Sequence, residues 1–126
     1  MIYRSKAPLR IGLAGGGTDV SPYSDEYGGA ILNATLSLYA HASIETMEDN
    51  KIVIEALDRK EIETYDFATQ LPINGKLDLL KGVYNRIQKD YGTITKGFKL
   101  GTFVDAPAGS GLGTSSTLVV AIIGAF

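Results

Sequence analysis

From residue 77 to residue 91 the apolar positions fall at helical spacings. Leu80, Val83, Tyr84, Ile87 and Tyr91 form one stripe, while Lys81, Asn85, Gln88 and Lys89 fill the opposite face. Gly92 supplies the stop, because a residue without a Cβ enters the left-handed C-cap conformation without steric cost. Elsewhere the period is two. Residues 3–13 read as extended, with Pro8 forcing an edge or a break since it has no N–H to donate. Residues 30–44 alternate in part and predict one or two further strands. Ile52, Ile54 and Ala56 alternate with Lys51, Val53 and Glu55, and the Asp49-Asn50 turn before them predicts a hairpin between these two segments. Phe98, Leu100, Thr102 and Val104 mark another strand. Residues 118–126 are apolar all round, the pattern of a fully buried helix. Strands, a helix, a strand and a helix make an α+β fold, taken as one domain over residues 1–126.

Composition narrows the chemistry. Apolar residues make up 44% and charged residues 21% of the chain, and the formal net charge is −2, as in ordinary globular proteins. The twelve Lys and Arg are scattered, so the basic footprint of a nucleic-acid-binding surface is missing. Cysteine is absent, which removes disulfides, thiolate nucleophiles and Cys-based zinc sites and is compatible with a reducing compartment. A cytoplasmic location and no membrane partner are expected. Pro8 and Arg10 interrupt any secretory h-region, and the apolar run at 118–126 is too short to span a bilayer. That run ends without a polar tail, so the chain reads as an incomplete piece of a longer one.

Two clusters carry candidate chemistry. The first is Pro107-Ala108-Gly109-Ser110-Gly111-Leu112-Gly113-Thr114-Ser115-Ser116, between a predicted strand and a predicted helix. Glycines at alternate positions let backbone N–H groups approach an anion, and the helix that follows favours negative charge at its start. The hydroxyls of Thr114, Ser115 and Ser116 can cap that helix or ligate magnesium that bridges two phosphates. The segment lacks the Gly-Lys-Ser/Thr of a Walker A loop, and Thr114 stands where a dinucleotide fingerprint needs its third glycine. The second cluster is Arg10 on an otherwise apolar strand, then Gly15-Gly16-Gly17-Thr18-Asp19, Tyr23 and Tyr27-Gly28-Gly29. Arg10 can hold phosphate and Asp19 can accept sugar hydroxyls; an edge-strand arginine and a turn-forming aspartate are the plainer alternatives. His41 reads as structural. Asp58, Glu61, Glu63 and Asp66, interspersed with Arg59 and Lys60, read as a solvated hairpin, and Tyr84 and Tyr91 as core.

The cluster of Arg10 and Gly15-Gly16-Gly17-Thr18-Asp19 resembles the first signature of the GHMP kinases, and the Pro107–Ser116 loop resembles the second. The resemblance implies a ribosomal protein S5 domain 2-like fold, with residues 1–126 as an incomplete N-terminal ATP-binding domain whose C-terminal domain is absent. It implies ATP and Mg2+ as the cofactors, with Pro107, Gly109, Ser110, Gly111, Leu112, Gly113, Thr114 and Ser115 around the ATP phosphates and Ser115 on the metal. Arg10 would stabilise charge at the transferred phosphoryl, and Gly17, Thr18, Asp19 and Tyr23 would face the sugar. Thr114 replaces the commoner serine and is similar to the fucokinase-like branch. Gly15-Gly16-Gly17-Thr18-Asp19 with Pro22-Tyr23 resembles the heptose phosphate kinase branch, whereas galactokinases place Gly-Glu-His before Thr-Asp. The implied partner is a small sugar or sugar phosphate, most of all a D-glycero-D-manno-heptose phosphate, with oligomeric state open. A non-catalytic nucleotide- or sugar-binding module and a dinucleotide-binding fragment are the rival readings. No counterpart of the family's third glycine-rich signature or its later catalytic Asp precedes Phe126.

Overall fold

A computed structural model describes residues 1–126. The chain runs β1 (Ile2–Ala14), α1 (Tyr23–Tyr27), β2 (Leu32–Thr46), β3 (Lys51–Ala56), β4 (Glu61–Asp66), α2 (Asp78–Tyr91), β5 (Phe98–Val104) and α3 (Thr114–Ala125). The five strands form one mixed sheet in the order β1-β2-β5-β3-β4. Only β3 and β5 run parallel; the other pairs are antiparallel. The fold is thus α+β, as the pattern predicts. No helix is long and apolar enough to cross a membrane.

The hairpin predicted across Asp49-Asn50 does not form. β5 inserts between the two segments, pairing with β2 from Ala40↔Val104 to Thr46↔Phe98 and with β3 from Ile52↔Phe98 to Ala56↔Thr102. Alternation identifies the face a strand buries but not its neighbour, and a non-local strand has displaced the local partner. The hairpin lies one strand later, where β3 and β4 pair from Lys51↔Asp66 to Ala56↔Glu61.

Alternate side chains of the sheet point at the helices. Leu9, Ile52, Ile54 and Leu100 are fully buried there. α2 closes this layer with Tyr84, whose ring lies 5.2 Å from that of Phe98 and whose hydroxyl donates to Ala68 O at 2.7 Å. Tyr91, expected in the core, is 73% exposed because it ends the last turn, beyond the core layer that Tyr84 closes. Lys81 and Gln88, expected on the solvated face, are buried. Gln88 is held by the loop that follows, donating to Ile94 O at 2.9 Å and accepting from Ile94 N–H at 3.2 Å. α3 packs on β1 and β2 through Thr117, Ala121, Ile122 and Ala125. It is not buried all round, since Val120 and Ile123 are more than half exposed.

Candidate functional site

β5 delivers the chain to the glycine-rich loop, and Asp105 fixes the point of departure. Its N–H donates to Tyr39 O at 2.9 Å, its carboxylate accepts from Tyr39 N–H at 2.7 Å, and His41 Nε2 stands 3.5 Å from its other oxygen. The root of the loop is therefore bolted to β2. His41 serves this anchor, in keeping with a structural role. Gly109, Gly111 and Gly113 all have positive φ, at 82°, 74° and 68°. This alternation turns successive peptide groups in the way an anion-binding concavity requires.

Gly113 is the N-cap of α3, and no side chain caps the helix. The hydroxyls of Thr114, Ser115 and Ser116 make no hydrogen bond within the chain, so the simple capping role is not realised. The first amide with a carbonyl partner is that of Thr117, bonded to Gly113 O at 3.0 Å. Three amides and three hydroxyls at the start of a twelve-residue helix are left for a ligand, at the positive end of its dipole.

Arg10 reaches this place from β1. The ladder slips between Pro8↔Tyr39 and Arg10↔Thr35, and the Arg10 N–H donates to Leu112 O at 3.2 Å. A Cβ on Gly113 would lie 2.5 Å from Arg10 Nη1. Two segments separated by about a hundred residues of sequence thus put a guanidinium against the N-cap of α3. The glycine-rich turn that follows β1 is folded differently. Thr18 donates to Gly15 O at 2.7 Å and accepts from Ala30 N–H at 3.1 Å, so its hydroxyl closes the loop on itself. A Cβ on Gly15 would meet Ala30 O at 1.9 Å, which is why this closure requires glycine. Asp19 is exposed and its side chain makes no hydrogen bond, and Tyr23 is half exposed, its ring 5.2 Å from that of Tyr27 on α1 and tilted to it by 46°.

A pocket lies beside the start of α3. Thr114, Ser115 and Leu118 form one wall, Leu77, Asp78, Leu79 and Leu80 the facing one, with Asp58 and Arg59 from the β3–β4 turn and Val104, Ala106 and Ala108 completing it. The acidic turn read as merely solvated therefore borders the site at Asp58 and Arg59. Nothing in the local sequence joins that turn to α3, because the sheet order that does so is non-local. The α2 wall is backed by Lys81, whose side chain is fully buried. Its Nζ lies 2.6 Å from Asn74 Oδ1, 3.1 Å from Glu63 Oε2, and 3.3 Å from both Asp78 Oδ1 and Tyr65 OH. Burial pushes the Lys81 ammonium down, but its bonds to Glu63, Tyr65 and Asp78 outweigh that and hold it above its ordinary value. The Tyr65 hydroxyl first, and Lys81 with it, holds Glu63 below the ordinary carboxylate value. For Asp78, burial acts upward, and the Gly75 and Asn74 amides with Lys81 reverse it to a net lowering.

Relatives decide the family. Residues 78–126 match the family model described as GHMP kinases N terminal domain. The chain is 50% identical over 123 residues to a D-glycero-alpha-D-manno-heptose 7-phosphate kinase of Campylobacter jejuni subsp. jejuni serotype O:2, covering 98% of this chain and 36% of that one. The chain belongs to the GHMP kinase family. Among solved GHMP kinase structures, a D-glycero-D-manno-heptose 1-phosphate kinase from Bacteroides thetaiotaomicron superposes with a TM-score of 0.93 at 59% identity, over 100% of this chain and 41% of that one. A galactokinase of Lactococcus lactis complexed with galactose shares the fold at 23% identity and a TM-score of 0.74, over 96% and 31%. The chain spans about two fifths or less of the length of these relatives.

Proposed function

We propose that the protein transfers the γ-phosphoryl group of ATP to a hydroxyl of a sugar phosphate, most specifically a D-glycero-D-manno-heptose phosphate, and that residues 1–126 form the N-terminal ATP-binding part of that enzyme. The observation that carries this is the junction at Gly113, where Arg10 stands against an uncapped helix start preceded by three glycines of positive φ. Such a site binds phosphate through amides and a guanidinium together. The heptose assignment rests on the identity to the two heptose phosphate kinases and on the Gly15-Gly16-Gly17-Thr18-Asp19 turn.

In the reaction a substrate hydroxyl oxygen forms a bond to the γ-phosphorus as the bond from phosphorus to the bridging β-γ oxygen breaks, releasing ADP and a proton. Catalysis of this step is mainly positioning and electrostatic stabilisation. Gly109, Gly111 and Gly113, with Pro107, Ser110 and Leu112 between and before them, present the backbone to the phosphates. Arg10 offsets negative charge on the transferred group. Thr114 and Ser115 offer hydroxyls at the first turn of α3, and Ser115 would hold Mg2+; a hydroxyl with no partner in the chain suits that ion, which takes oxygen ligands. Bound there, magnesium supplies charge neutralisation to the phosphates. Asp19 and Tyr23 orient the sugar, and Gly17 and Thr18 shape the turn that carries them.

The test is phosphoryl transfer by the purified protein with magnesium ATP, comparing heptose 1- and 7-phosphates with galactose and fucose. A higher kcat/KM for a heptose phosphate is expected. A higher value for galactose would overturn the substrate assignment, and nucleotide binding without transfer to any sugar would favour a binding module.

A further inference from the structure

The ammonium of Lys81 lies on the far side of the pocket wall from Ser115, in a position no phosphate-binding role explains. Its side chain is fully buried, and its four polar neighbours come from three places: β4 (Glu63 and Tyr65), the loop before α2 (Asn74) and the first turn of α2 (Asp78). Earlier in the loop, Leu71 is held by Asn85 of α2 through bonds in both directions, at 2.7 and 2.9 Å, and the end next to α2 has bonds of its own. Asn74 and Gly75 donate their N–H groups to Asp78 at 3.1 and 2.8 Å, and Leu77, the next residue but one, adopts a left-handed conformation at φ 49°. A β-branched or bulky residue rarely sits there, and a leucine does so only when its surroundings hold it. Leu77 itself is buried and, with Asp78, Leu79 and Leu80, forms the wall opposite Thr114 and Ser115.

A lysine buried on an amphipathic helix needs a reason, because desolvating an ammonium costs several kcal/mol and a methionine would fill the same space. Here the charge gathers carbonyl, carboxylate and hydroxyl oxygens from β4, the loop and the first turn of α2 at one point. We propose that Lys81 is a positioning residue for the nucleotide: its ammonium pins the 74–78 segment, through Asn74 and Asp78, in the shape that makes the α2 wall of the pocket. This rests on the kinase reading above. The network acts on nucleotide affinity, not on the transfer step, because it touches the wall and none of the residues placed at the phosphates.

The experiment measures ATP affinity by calorimetry, together with KM for ATP, kcat and melting temperature, in the protein expressed from its own gene. Three variants are compared with it: Lys81→Met, Asn74→Ala, and Arg86→Ala as a control on the exposed side of α2, where Arg86 pairs only with Asp90. Asn74 is exposed, so its truncation removes the 2.6 Å contact without emptying the core. Expected are a roughly tenfold or greater weakening of ATP binding in Lys81→Met and about threefold in Asn74→Ala, each seen in KM with kcat little changed. Asn74→Ala should keep the parent melting temperature, and Arg86→Ala should match the parent throughout. Should Lys81→Met fail to fold, Asn74→Ala decides. Unchanged ATP affinity in Asn74→Ala, or a loss that appears in kcat alone, overturns the positioning role while leaving the kinase reading intact. Absence of ATP binding by the parent protein overturns both.

Discussion

The serine at position 115 carries the sharpest single-residue consequence. Its hydroxyl has no partner in the chain and the N-cap is Gly113, so Ser115→Ala removes no capping bond and should leave melting unchanged within about 0.5 kcal/mol. If it holds the metal, kcat at saturating ATP falls roughly 100-fold or more, about 2.7 kcal/mol, across a magnesium titration. Ser116→Ala, placed outside the metal role, should fall much less, and equal losses would remove the assignment. Gly113 offers a complementary test. A Cβ there meets both a φ of 68° and the guanidinium of Arg10 at 2.5 Å. Gly113→Ala is therefore expected to cost about 1–2 kcal/mol in denaturant unfolding and to displace Arg10, lowering kcat. The glycines of the loop and their hydroxyl neighbours were legible in the sequence because each is required locally. The meeting of Arg10 with Gly113 was not, since nothing between β1 and α3 encodes the register slip at Pro8 that brings it about.

At the scale of elements, α2 shows how a correct period can misplace a side chain. The apolar stripe defines the helix and puts Tyr84 in the core, yet Lys81 is buried too, because β4 presents Glu63 and Tyr65 inward in register with Ile54 and Ile52. Charge pattern alone cannot distinguish that arrangement from a solvated face. For the same reason the Asp49-Asn50 turn indicated a reversal but not that β5 would occupy the place beside it. The cluster makes a pH prediction with a definite sign. Glu63 and Asp78 are held below their ordinary values of 4.5 and 3.8 in the folded chain. The unfolded chain therefore takes up protons first as pH falls, so the stability these groups contribute is complete above about pH 5 and is lost through and below those values. Lys81 is held above 10.5, and its contribution persists until pH rises past that point. Melting temperature should thus change little on their account between pH 6 and 9 and drop below pH 5, with a shallower acid slope in Glu63→Gln. Lys81→Met, which leaves the partly buried Glu63 and Asp78 without their cation beside an apolar side chain, should cost roughly 1–3 kcal/mol at neutral pH by denaturant unfolding.

For the whole molecule, the question is what residues 1–126 can do by themselves. The sheet is complete on its helical side, with Leu9, Ile52, Ile54, Leu100 and Tyr84 enclosed, so a chain of this length has the core to fold. Its chemistry is less complete. Asp105 is tied to Tyr39 and His41, Asp66 to Lys51, and Glu63 and Asp78 to Lys81. Asp19 is proposed to orient the sugar, and Asp58 lines the pocket beside Thr114 and Ser115 without an ion pair of its own; neither is assigned the proton of a reacting hydroxyl. Val120 and Ile123 leave an apolar face of α3 in water, and the chain covers 36% and 41% of the two heptose phosphate kinases it matches. A polypeptide of residues 1–126 is accordingly expected to melt cooperatively and to bind ATP weakly, but to transfer no phosphoryl group to a heptose phosphate. The comparison is ADP release, in a coupled assay with magnesium ATP and heptose 1- or 7-phosphate, by this polypeptide and by the protein expressed from its own gene. Sugar-dependent ADP release by the 126-residue polypeptide at a rate near that of the parent would place the proton acceptor within these residues, and Asp19→Asn would then be the first variant to distinguish an orienting aspartate from a base.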